Sequence, residues 1–153
     1  MIKLTILAAL ITLMADPTLI NAAQAAPKFV SIAATVAYAY TIDVTTKPGY
    51  VGEEGIAKIA VKPSGDFKWN KKFPAHLEIQ TPEFTIATPI KEKLNHDDLT
   101  INGSDAVVCI PFKGETEGRV QIETHLSFSV CSSKECLIFR NQKVMLTFIV
   151  IKK

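Results

Sequence analysis

Cys131 and Cys136 enclose Ser132-Ser133-Lys134-Glu135. A cysteine pair this close can form a structural disulfide, carry thiol–disulfide exchange, or supply metal ligands. Lys134 between them is a cation that would favour a thiolate. Cys109, the third cysteine, lies in the apolar run Ala106 to Phe112 and is expected to be a buried free thiol rather than one paired with another molecule; it would compete as a partner for Cys131 only if their strands were neighbours. Of the three histidines, His125 falls on the same strand face as Cys131, but six residues of strand put them about 20 Å apart, too far to share one ion. His76 and His96 stand in polar surroundings and read as surface residues. No nucleophile elbow, phosphate loop, zincin helix or EF-hand loop is present. The sequence therefore offers no complete catalytic motif, no cofactor site and no metal set, and any chemistry rests on Cys131 and Cys136.

What that pair does depends on where the chain folds. Lys3 is followed by the uncharged apolar stretch Leu4 to Ala15, the length of a signal-peptide core rather than of a membrane span. Asp16-Pro17 interrupts it, and Ala23-Gln24-Ala25 is an A-x-A cleavage signal. Residues 1–25 are thus expected to be a cleavable signal peptide, and residues 26–153 an exported domain, periplasmic or secreted, with no membrane insertion after cleavage. An uncleaved anchor is the alternative. In an oxidising compartment the pair is expected to form a disulfide.

The expected domain is roughly 130 residues long, close to the commonest domain size. Removing residues 1–25 takes away one Lys and one Asp, so the net charge stays at +2. Acids and bases are interspersed, without the concentrated basic face of a nucleic-acid binder.

The elements that must position the cysteines follow a period of two from Thr35 onward. Tyr38, Tyr40, Ile42 and Val44 share one face of a first strand that ends at Lys47-Pro48-Gly49. Ala57, Ile59 and Val61 oppose Lys58 and Lys62 in a second, which Pro63-Ser64-Gly65-Asp66 closes. Leu77 and Ile79 mark a third, and Phe84 and Ile86 a short edge strand between Pro82 and Pro89. Lys91 to Gly103 reads as a polar loop. Val120, Ile122, Leu126, Phe128 and Val130 then face one way, with Arg119, Gln121, Glu123, His125, Ser127 and Ser129 on a wet face. A turn near Asn141 precedes a last strand carrying Val144, Leu146, Phe148 and Val150 inward.

Short strands at this spacing predict an all-β chain, an antiparallel immunoglobulin-like β-sandwich. Continuing the alternation of the Val120 strand places Cys131 on the outward face. Two strands flanking one turn can bring the cysteine Cα atoms within the roughly 4.4–6.8 Å of a disulfide. The loop closed is short, so as a staple it is worth no more than about 2 kcal/mol.

The tail LSFSVCSSKECLIFRNQKVMLTFIV, Leu126 to Val150, resembles the end of the periplasmic N-terminal domain of the transmembrane disulfide reductase DsbD, an immunoglobulin-like module. There too a strand runs into a close cysteine pair, and a polar turn leads to a final apolar strand. Gly65-Asp66-Phe67-Lys68-Trp69 followed by Leu77-Glu78-Ile79 is similar to that family's aromatic turn before a strand. The resemblance implies that Cys131 and Cys136 shuttle electrons between a membrane thiol reductase and periplasmic thiol proteins. The chain departs from the family in its shorter cysteine spacing, in lacking Pro-Pro after Cys136, and in offering only Phe84 for the aromatic cap over the disulfide. It also lacks a transmembrane reductase domain and a thioredoxin-like C-x-x-C. The rival expectation is a non-enzymatic binding or structural module with a structural disulfide.

Overall fold

A computed structural model describes residues 32–37, 39–83 and 85–153, the first of these ranges by backbone alone. The expected signal peptide, Tyr38 and Phe84 lie outside the described residues.

Alternating apolar and polar side chains give one buried and one open face to each strand. In chain order the strands are β1 (Ile32–Ala37), β2 (Tyr40–Lys47), β3 (Gly49–Tyr50), β4 (Glu54–Pro63), β5 (Lys68–Trp69), β6 (His76–Gln80), β7 (Ala87–Pro89), β8 (Lys93–Asn95), β9 (Leu99–Asn102), β10 (Asp105–Gly114), β11 (Gly118–Cys131) and β12 (Cys136–Ile151). They form two sheets. The first runs β1-β2-β4-β10-β7 with β9 also beside β10; the second runs β3-β12-β11-β6-β8 with β5 also beside β11.

With β9 beside β10 in the D place and β8 beside β6 in the C′ place, β2-β4-β10-β9 and β12-β11-β6-β8 follow the A-B-E-D and G-F-C-C′ sheets of the immunoglobulin arrangement, and β7 is an added short strand at the far end of β10. All pairings are antiparallel except β3 with β12 and the Val51–Gly114 bridge. Between the sheets Ile59, Ile110 and Phe112 meet Leu77, Ile122, Leu146 and Phe148 in one core, where Phe112 stacks on Phe148 with ring centroids 4.4 Å apart. Gly55 keeps the β3–β4 corner tight, since a Cβ there would lie 2.2 Å from the Phe112 ring and 2.7 Å from the Gly49 nitrogen.

Several expectations need correction. The polar stretch Lys91 to Gly103 is not a loop: β8 pairs with β6, a 3-10 turn spans His96–Asp98, and β9 pairs with β10. Each strand there carries only one or two apolar anchors, buried Leu94 and half-buried Leu99 and Ile101, too few for a period of two to register. The edge strand near Pro89 is β7, displaced to Ala87–Pro89. Cys109 is exposed, because β10 also alternates: Ala106, Val108, Ile110 and Phe112 face the core, while Cys109 stands opposite Lys58 on the open face.

The expected turn near Asn141 is a bulge inside one continuous strand. Leu126 pairs with Gln142 and Phe128 with Phe139, so β12 carries one residue more than β11 across this step. Asn141 takes φ 49°, a left-handed conformation that asparagine tolerates. The extra residue flips the side-chain parity of β12. Phe139 before it and Val144 after it thereby both serve the core.

Candidate functional site

β11 and β12, 14 and 16 residues long, pair from Gly118–Val150 to Cys131–Cys136. At their tip the Ser132 amide donates to the Glu135 carbonyl at 2.8 Å. The Ser132 hydroxyl accepts the Lys134 and Glu135 amides, each at 3.2 Å. A serine opening a turn in this way satisfies backbone donors that the tight reversal would otherwise leave to solvent. The turn sets the register, and the register sets the sulfurs opposite each other.

Cys131 and Cys136 are joined by a disulfide with Cα atoms 4.0 Å apart, closer than the roughly 4.5 Å of opposing residues in a non-hydrogen-bonded pair. Antibody-type domains carry their bond across the sandwich, from B to F. Here it lies within one sheet, between the strands in the F and G places, and it leaves the core untouched. Cys131 is half-buried and Cys136 exposed.

β5 completes the surroundings. Lys68 pairs with Cys131 and Trp69 with Val130, so Lys68, Cys131 and Cys136 form a transverse row on the open face. In the adjacent row on that face, Asn70 bonds Ser129, its amide to the Ser129 carbonyl at 2.9 Å and its side chain to the hydroxyl at 3.3 Å. Ile138, 52% exposed, stands opposite Ser129 and presents apolar surface two residues from Cys136. Asp66, Lys68, Cys131, Ser132 and Ser133 line a groove open to solvent. The disulfide thus has a cation in register on its Cys131 side and one exposed apolar side chain, Ile138, on its Cys136 side.

Beneath the row the hairpin rests on rings. Trp69 stacks on Phe128 at 5.6 Å and 7°, Phe128 on Phe139 at 5.2 Å, and Tyr40 meets both edge-on at 4.9 and 4.6 Å. Burial of Tyr40 pushes its phenol pKa up, and its hydroxyl donates to Gln142 Oε1 at 3.0 Å. Aromatic clusters of this kind add roughly 0.5–1.5 kcal/mol per pair beyond area burial. These rings support the tip from the core side of the sheet.

The wet face assigned to β11 ends before the tip. Ser127 and Ser129 are buried, because the β5 segment covers that end of the strand and Asn141 turns back to Ser127, whose hydroxyl accepts the Asn141 amide at 3.0 Å. Lys134, the cation expected to favour a thiolate, lies exposed in the turn between the two cysteines. Lys68 has the direct register, and the period-two reading missed it because β5 is only two residues long. The signal lay in the Gly65 to Trp69 motif.

Cys109 is in the other sheet and the two remaining cysteines are bonded to each other, so it is no partner for Cys131. His125 contacts Glu123 at 2.9 Å, and His76 Nδ1 lies 3.3 Å from the Pro74 carbonyl. His96 is only partly exposed, with its Nδ1 buried and unpartnered. Among the described residues no three His, Cys, Asp or Glu side chains are grouped to hold a metal ion, and no helix is long and apolar enough to cross a membrane.

No family model, curated protein or solved structure matches the chain.

Proposed function

We propose that the chain is an exported thiol–disulfide exchange domain, working in the periplasm or outside the cell, that passes electrons to or from a protein partner through Cys131 and Cys136. The observation that carries the reading is the placing of the disulfide: at the solvent-open tip of the hairpin, outside the core, beside Lys68 and the exposed Ile138. A bond that contributes little to stability and that solvent can reach is of the labile kind.

Accessibility assigns the roles. Cys136 is the more exposed residue of the pair and takes the incoming thiolate, forming a mixed disulfide while Cys131 leaves with the electron pair. A second thiolate of the partner then attacks the partner's own sulfur and frees Cys136. Two electrons have moved from a dithiol to this disulfide, and the reverse sequence returns them. A membrane thiol reductase or a periplasmic thiol protein is the partner class that the resemblance to the DsbD domain supports.

Trapping tests the roles. With Cys109 replaced by Ser, opening of the oxidised protein by reduced glutathione, quenched in acid and mapped by mass spectrometry, should place most of the glutathione mixed disulfide on Cys136. An equal split, or a majority on Cys131, would reject Cys136 as the sulfur that meets the partner.

The second reading, a binding or structural module with an inert staple, is favoured by the direct opposition of the two cysteines in the strand register, which would let the bond form in any folded copy of the chain.

A further inference from the structure

We propose that Lys68 is a positioning residue that makes Cys131 the departing sulfur when the disulfide opens. The proposal rests on the exchange reading and adds to it the group that holds the developing charge.

Lys68 and Cys131 are directly opposite across an antiparallel pair. Such residues have Cβ atoms about 4.5–5.5 Å apart on the same face of the sheet. Both line the groove at the tip, so the ammonium and the sulfur open into the same solvent. Lys68 makes no ion pair with any described residue, in contrast to Lys62, Lys91, Lys93, Lys143 and Lys153, each engaged by a carboxylate. The charged groups around the sulfurs are few. Asp66 and Lys68 come from β5 and the turn before it, and Lys134 and Glu135 from the hairpin turn. Of the two lysines, only Lys68 is placed by the sheet register rather than by a turn.

The chemistry follows from that asymmetry. An incoming thiolate attacks Cys136 Sγ, the bond to Cys131 Sγ breaks, and the electron pair stays on Cys131 as a thiolate. A lysine beside a thiol lowers its pKa, and a thiol of lower pKa leaves faster. With Lys68 opposite Cys131 the cleavage is biased to put the charge there, which leaves Cys136 as the sulfur bonded to the partner.

The test uses Cys109→Ser protein, in which the disulfide pair holds the only cysteines. Opening of the oxidised form by dithiothreitol is followed through the fluorescence of Trp69, the single tryptophan, whose neighbour on β11 is Val130. Lys68→Gln should slow opening roughly threefold to tenfold, Lys68→Arg should restore most of the rate, and Lys134→Gln should change it less than twofold. Alkylation of Cys131 by iodoacetamide in Cys136→Ala protein gives a second readout: its pH profile should move to higher pH in Lys68→Gln and not in Lys134→Gln. If Lys68→Gln leaves both the opening rate and the profile unchanged, or does no more than Lys134→Gln, the proposal is wrong. The alkylation profile reads Lys68 against Cys131 whatever the wild-type reduction potential, so a strongly reducing potential would remove the exchange reading without imitating a failure of this one.

Discussion

The two ends of the β11–β12 hairpin are built in opposite ways. At the Gly118–Val150 end the hairpin is sealed: β3 adds a parallel strand to β12, Gly49 and Gly55 bring two backbones into contact, and Phe112 stacks on Phe148 beneath them. At the Cys131–Cys136 end the strands run out to a turn whose residues are mostly exposed, and the nearest support is the ring cluster below the sulfurs. A disulfide meant to hold the sandwich together would join its layers. This one spans one turn of one sheet, which separates what keeps the domain folded from what the domain can offer a partner.

That contrast can be broken at either end, and the sealed end should give the larger effect. Gly55→Ala forces a methyl group into the Phe112 ring and the Gly49 backbone and should destabilise the domain by about 3 kcal/mol, read as a lowered denaturant midpoint. At the tip, Cys131→Ala with Cys136→Ala should cost no more than about 2 kcal/mol, with the Trp69 environment and far-ultraviolet dichroism close to wild type. A loss well beyond that would make the bond a staple and erase the distinction between the ends.

A smaller effect comes from the middle of the hairpin. The Glu123 carboxyl is held below its ordinary pKa by Lys143 at 2.5 Å and, second, by His125. A lowered carboxylate pKa contributes stability that is complete above the unfolded-state value and is lost as pH falls through the folded-state value. Acid unfolding should therefore steepen below the usual glutamate range, and Glu123→Gln should flatten that limb of the pH–stability curve by a small amount, since both partners are solvent-screened. The tip should be indifferent to the same change.

Much of the architecture was legible because alternation is a strong signal wherever a strand is long. Val120 to Val130 and Val144 to Val150 state their own faces, and so do Ala57, Ile59 and Val61. What escaped reading lies where alternation is too brief or is interrupted. β8 and β9 are three and four residues long, and the Asn141 bulge inverts the parity of β12 without ending the strand. The same limits governed the site. Cys131 and Cys136 announced themselves by spacing, whereas Lys68 sits on a two-residue strand whose partner is some sixty positions away in the chain, a pairing that only the assembled sheet creates. Cys109 was misread because its stretch looked uniformly apolar, although only its even-numbered members face the core.

The central claim is that the Cys131–Cys136 bond is made to break, and the reduction potential tests it most directly. Equilibrating Cys109→Ser protein with glutathione or dithiothreitol buffers, with Trp69 fluorescence or thiol alkylation as the readout, should give a value within the range of exchange proteins, roughly −120 to −270 mV. A value below about −300 mV would mark a bond that stays closed in its compartment, and would contradict the account.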